Sequence, residues 1–164
     1  MVHGGHDHPG LRYHRLHRVL GRRRVSDIRS PSHAQQLGIS TVYQEVNLIP
    51  TLSVAENIYL GRQPKRFGKI QWRQVYEKSR AALARLDLSI DVKAPLSSYS
   101  IAIQQMVAIA RALDVSAKVL ILDEPTSSLD AGEVARLFDV MRRLREQGLG
   151  IVFITHFLNQ VYEI

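Results

Sequence analysis

An α/β fold built around a parallel sheet is predicted by three features of the chain. Strongly apolar runs recur as LGISTVYQ (37–44), KVLILDE (118–124) and GIVFITH (150–156), and runs with so little polar alternation are those of strands buried on both faces. Segments with apolar residues at helical spacing separate them, the alternation of a sheet whose crossover helices cover it on both sides. Breakers stand at the joins: Pro95 among serines, Pro125 after the second run, Gly148 before the third.

Each element has a local cause. The first strand is a short β-branched run opened by Gly38. SVAENIYL (53–60) starts a helix with a capping box, because Ser53 is followed three residues later by Glu56. A longer helix is expected over 71–86, with Trp72, Val75, Tyr76, Ala82, Leu83 and Leu86 on one side, and it ends before Pro95. IAIQQMVAIARAL (101–113) gives another helix, and KVLILDE the second strand. Asp130 and Glu133 cap a further helix carrying Val134, Leu137, Phe138, Met141 and Leu144 at helical spacing, and Gly148 stops it. GIVFITH closes the pattern as a third strand.

At 164 residues the chain has the length of about one domain with a single core. It holds no cysteine, which excludes a disulfide frame and a thiolate metal site. No apolar run approaches the roughly 20 residues of a membrane span, and the first thirty residues lack a signal peptide's apolar block; the expectation is a soluble or peripheral chain. The net charge of +7 is localised. Residues 1–30 hold seven Arg against two Asp, a net of +5, whereas the remainder holds 15 basic and 13 acidic residues, a net of +2. That segment also contains His3, His6, His8, His14 and His17, has no apolar period, and reads as standing outside the fold. Its composition is what a GC-rich gene gives when translated out of frame. A nucleic-acid role would rest on these arginines alone, with no aromatic stacking platform beside them, so none is expected. The five histidines have no acidic or cysteine partners to organise a metal site.

In parallel sheets ligands gather at the carboxyl ends of the strands. The three predicted strands end in Gln44, in Asp123 and Glu124, and in His156. Singly, each is an ordinary loop or turn residue; together they form a constellation. VLILDEP, TSSLD, VYQE and FITH resemble the Walker B strand, D-loop, Q-loop and switch histidine of the ATP-binding subunits of ABC transporters. VYQEVNLIPTLSVAENIYLGRQPKRFGKIQW resembles more narrowly the first cassette of tandem ATPases that serve monosaccharide importers for ribose, galactose, xylose or galactofuranose.

The resemblance implies a P-loop NTPase-like parallel sheet, here incomplete, with an inserted α-helical subdomain. It implies 31–164 as a partial cassette, 45–112 as its helical part with the signature, and 117–164 as the part with Walker B, D-loop and switch histidine. ATP and Mg²⁺ are the implied cofactors. Asp123 and Gln44 would support the metal. Glu124 would act as general base, His156 would contact the γ-phosphate, and Gln44 would reach the attacking water while linking the site to the membrane permease subunits. Ser100, Gln104 and Asp130 would face nucleotide across the contact with a second ATPase cassette. A periplasmic sugar-binding protein would act indirectly, and the chain would sit on the cytoplasmic face of the bacterial inner membrane.

Two departures accompany the resemblance. The signature, close to Leu-Ser-Gly-Gly-Gln in the family, reads YSIAIQQ (99–105); Ser100 is kept and both glycines are replaced, so the stretch also reads as an ordinary amphipathic helix start. No Gly-x-x-x-x-Gly-Lys-Ser/Thr is present, and the nearest pattern, GHDHPG (5–10), is followed by Leu11 and Arg12. The three strands would be neighbours in the family fold, with the His156 strand left as a long apolar edge. An ATP-hydrolysing subunit and a catalytically inactive remnant of one both follow from these features.

Overall fold

The computed structural model describes residues 28–43, 48–115, 117–157 and 160. Most of the basic segment 1–30, together with Gln44, lies outside the described residues. The order is α1 (Pro31–Gln36), β1 (Ile39–Val42), α2 (Val54–Tyr59), a hairpin of β2 (Lys65–Arg66) and β3 (Lys69–Ile70), α3 (Trp72–Ala84), a 3₁₀ turn at Leu96–Ser98, α4 (Ile101–Leu113), β4 (Val119–Asp123), α5 (Ala131–Glu146) and β5 (Gly150–Ile154).

β1, β4 and β5 form a parallel sheet in the order β1-β4-β5. Val42 pairs with Leu122, Leu122 with Phe153, and Asp123 with Ile154, so the carboxyl ends of the three strands are level. Gly38 opens β1 at φ +83°, and a Cβ there would lie 3.1 Å from the Lys118 side chain and 3.3 Å from its backbone nitrogen. Only glycine meets both demands, and its carbonyl accepts from the Lys118 and Val119 amides.

One face of the sheet carries the core. Leu120 and Leu122 are fully buried; α4 lies over β1, where the Ser40 hydroxyl donates to the Ala112 carbonyl at 3.2 Å, and α5 lies over β5, where Phe138 meets Phe153 edge-on with centroids 5.8 Å apart. The other face, with Ile39, Thr41, Val119 and Ile121, is half-buried, and Val152 and Ile154 on β5 are exposed. Covering on both sides is therefore not found among the described residues, and β5 pairs on one side only there.

The helical layer packs on the same core through Val54, Ile58, Val75, Leu83, Leu96 and Ile109, all 0–1 % exposed. Trp72, expected on the apolar side of α3, is partly exposed and stacks on Tyr76. Both predicted capping boxes are formed, Ser53 with Glu56 at α2 and Asp130 with Glu133 at α5. Gly148 ends α5 at φ +89°.

Asn57 is the buried polar anchor of this layer. Its Oδ1 accepts the Ile49 amide at 2.7 Å, and its Nδ2 donates to the carbonyls of Ile49, Leu52 and Ser53. Asn57→Ala leaves the Ile49 amide without its acceptor and takes the side-chain donor from three carbonyls that each keep one backbone donor. A loss of about 1–3 kcal/mol is expected, read as a lower urea midpoint; an unchanged midpoint would show that water replaces the amide at no cost.

Candidate active site at the carboxyl ends of the strands

The turn after β4 is held in an uncommon conformation. Glu124 has φ +50°, a region that a residue with a Cβ occupies at a cost of about 1–3 kcal/mol when its surroundings enforce it. Here the enforcing contacts are visible. The Glu124 amide donates to the Ile154 carbonyl at 2.9 Å, and the Ser127 amide donates back to the Glu124 carbonyl at 3.3 Å. Buried Pro125 fixes the next φ and ends the strand.

The conformation aims Glu124 at the end of β5. His156 Nδ1 lies 2.8 Å from Glu124 Oε1, the imidazole being 65 % exposed and the carboxylate 16 %. Glu124 Oε2 is buried and has no hydrogen-bond partner among the described residues. One carboxylate oxygen is thus tied to the imidazole, and the other is an acceptor for which the described residues supply no donor. Asp123, the last residue of β4, stands beside them, paired in register with Ile154. The Phe157 ring packs on the His156 ring at 4.1 Å, and the Phe157 amide donates to the Thr155 hydroxyl at 3.0 Å.

The other predicted positions lie elsewhere. Ser100 is the exposed N-cap of α4, accepting from the Ile103 amide at 3.4 Å, and Gln104 is turned back onto the Tyr99 carbonyl at 3.0 Å. Ile101, at a glycine position of the signature, is 55 % exposed. Asp130 spends its carboxylate on the α5 cap, accepting the Glu133 amide at 2.8 Å. A cavity of about 230 Å³ brings Ser100, Ala102 and Ile103 together with Glu133 and Arg136 of α5. Where the chain leaves β1, a second cavity of about 400 Å³ is lined by Tyr43, Leu48, Arg62 and Arg111. Its wall is fixed by the Tyr59 hydroxyl donating to Asp114 at 2.6 Å and by Arg62 at 3.3 Å from the same carboxylate. Burial first, then the bond to Asp114, hold the Tyr59 phenol well above its ordinary pKa, while burial and Arg62 lower that of Arg111.

A family model described as ABC transporter matches residues 18–127, well over half of the sequence. The chain belongs to the ABC transporter family. The match begins inside the segment that composition sets apart. Among curated ABC proteins, the galactofuranose transporter ATP-binding protein of Escherichia coli (strain K12) is 55% identical over 136 residues, which is 83% of this chain and 27% of that protein. The fructose import ATP-binding protein of Bifidobacterium longum is 57% identical over 132 residues, 80% of this chain and 26% of that one. The first ribose import ATP-binding protein of Rubrobacter xylanophilus is 50% identical over 141 residues, 86% and 28%. The chain spans about a quarter of the length of these relatives. Its fold matches the ADP conformation of the ATP-binding cassette MJ1267 with a TM-score of 0.71 at 23% identity, over 86% of this chain and 59% of that one. An inward-facing transporter of putative metal-chelate type matches with a TM-score of 0.66 at 32% identity, over 77% and 52%. The P-loop NTPase-like α/β class and the sugar-importer resemblance stand on these matches.

The ABC cassette's residues fit Mg²⁺ in one respect. Magnesium takes oxygen ligands, one or two from carboxylates and the others from phosphates and water, and the Asp123 carboxylate at the end of β4 supplies that donor type. No group of three metal-binding side chains exists among the described residues, so the protein offers an outer carboxylate edge rather than a closed cage. Sequence reasoning missed Thr126, Thr155 and Gln160, whose side chains meet behind the site. Nothing in their spacing marks them.

Proposed function

We propose that the chain supplies the hydrolysis side of the ATP site in an ATP-binding subunit of a carbohydrate ABC importer. The observation that carries this reading is the 2.8 Å contact between Glu124 and His156 at the level ends of two parallel strands. In phosphoryl transfer the protein's work is to place the nucleophile and to stabilise charge. Glu124 orients the attacking water and takes its proton, using the oxygen not held by His156, an effect of roughly 10²–10⁴ in rate for a positioned general base. His156 turns its other nitrogen outward to the γ-phosphate. Bound Mg²⁺ would supply charge neutralisation, with Asp123, and Gln44, on its water shell. Ser100, Gln104 and Asp130 face the second cassette, membrane permease subunits dock nearby, and the periplasmic sugar-binding protein acts through them. Among the described residues no helix is long and apolar enough to cross a membrane, in keeping with a peripheral place on the cytoplasmic face of the inner membrane.

A second reading, a catalytically inactive remnant, is favoured by exposed Ile101 where the signature would have glycine and by a sequence without Gly-x-x-x-x-Gly-Lys-Ser/Thr. Without that motif to cradle the phosphates, this chain alone is expected to bind MgATP weakly and release negligible phosphate. Titration followed at the His156 ring resonances should show saturable movement only at millimolar nucleotide. No movement at any concentration would overturn the nucleotide reading. Micromolar affinity with turnover abolished by Glu124→Gln would overturn the remnant reading.

A further inference from the structure

We propose that Gln160 is a positioning residue that clamps the Glu124 turn to the His156 turn, a role that rests on the reading of those two residues given above. Gln160 is 9 % exposed and Thr126 is 3 % exposed. The Thr126 hydroxyl, two residues past Glu124, donates to Gln160 Oε1 at 2.7 Å, and the Thr155 hydroxyl, next to His156, donates to the same oxygen at 3.4 Å. The Gln160 amide in turn donates to the Phe157 carbonyl at 3.0 Å. One buried amide oxygen therefore gathers a donor from each of the two turns, and its backbone is tied to the residue whose ring packs on His156.

The connection reaches the reacting side chains through short, stiff paths. Pro125 alone separates Thr126 from Glu124, and its ring removes one of the rotations through which the turn slackens. Thr155 is held from both sides, its oxygen accepting the Phe157 amide while its hydrogen points to Gln160. A left-handed residue such as Glu124 keeps its conformation only where several contacts agree. The Ile154 carbonyl gives one from the β5 side; Gln160, through Thr126, gives another from behind. Loss of the acceptor would leave a buried Thr126 hydroxyl without a partner, and the turn would move to find one.

The test uses the intact chain without nucleotide, so it reports on the clamp whether or not the chain binds ATP. Gln160→Met keeps the length of the side chain and removes the acceptor; Thr126→Val keeps the shape and removes the donor; Gln160→Glu keeps an acceptor oxygen. Gln160→Met and Thr126→Val are each expected to shift the His156 ring resonances and to speed exchange of the Glu124 amide about tenfold. Gln160→Glu should return both to their wild-type values. Should Gln160→Met fail to fold, the near-isosteric Thr126→Val decides alone. Unchanged His156 resonances and Glu124 exchange in folded Thr126→Val would overturn the proposal, even with a lowered melting temperature, because a purely structural bond would move only the latter.

Discussion

Val152→Lys is expected to convert a self-associating chain into a monomer. Among the described residues β5 pairs with β4 alone, and the strand is Gly-Ile-Val-Phe-Ile, with Val152 40 % exposed and Ile154 45 %. An exposed apolar strand with free N–H and C=O groups on one side is a template for another chain, and a lysine within it opposes pairing by bringing a charge that cannot be desolvated cheaply. Val152 sits in register with Ile121 on the face away from Phe138, so the substitution leaves the packed face intact. Light scattering over a concentration series should give rising mass for the wild-type chain and a constant monomer mass for the variant. A wild-type chain that stays monomeric throughout would show that this edge is covered. The variant also supplies a monomeric background for the His156 measurements.

The second large effect is on the core. Phe138 is 1 % exposed and is the largest fully buried side chain, sitting edge-on against Phe153. Phe138→Ala removes the ring, leaves a cavity between α5 and β5, and is expected to cost about 3–5 kcal/mol, with the aromatic pair contributing about 0.5–1.5 kcal/mol. Domains have about 5–15 kcal/mol in total, so the variant should unfold at much lower urea. Trp72, the single tryptophan, lies on α3 and reports the helical layer, while circular dichroism reports the whole chain. Both signals should move together if sheet and helical layer share one core. A shift below about 1 kcal/mol would mean that the β5 side of the core contributes little.

The strands and the longer helices were legible because each has its own local signal: an apolar run, a capping box, a stopping glycine. α1 and the β2–β3 hairpin were not, since six residues and two residues are too short to show a period. The hairpin turns on Phe67 at φ +49° and Gly68 at φ +77°, and only the glycine announces such a turn. Glu124 and His156 were legible as strand-end residues, but their contact depends on β4 and β5 being neighbours, which strand order decides and periodicity does not. Gln160 was invisible for a plainer reason: its principal partner lies 34 residues away. Asn57 reads in the sequence as a polar interruption of an apolar helix, yet the 49–53 segment folds around it. The expectation of two covered faces is not met at β5 among the described residues, where the apolar run marks surface built for burial rather than surface found buried.

Glu124 also bears on how such a chain would decay. The fold would gain from losing it: glycine or asparagine would relieve the left-handed backbone, and with them would go the buried oxygen that has no partner among the described residues. A sequence drifting free of selection for chemistry gains stability most easily at sites of this kind, where function and folding pull in opposite directions. At the signature, Ile101 and Ala102 stand where the family pattern has the bare backbone of two glycines. At residue 124 the strained backbone and the carboxylate stand together, so there the chemistry and the stability of the fold make opposite demands on one side chain.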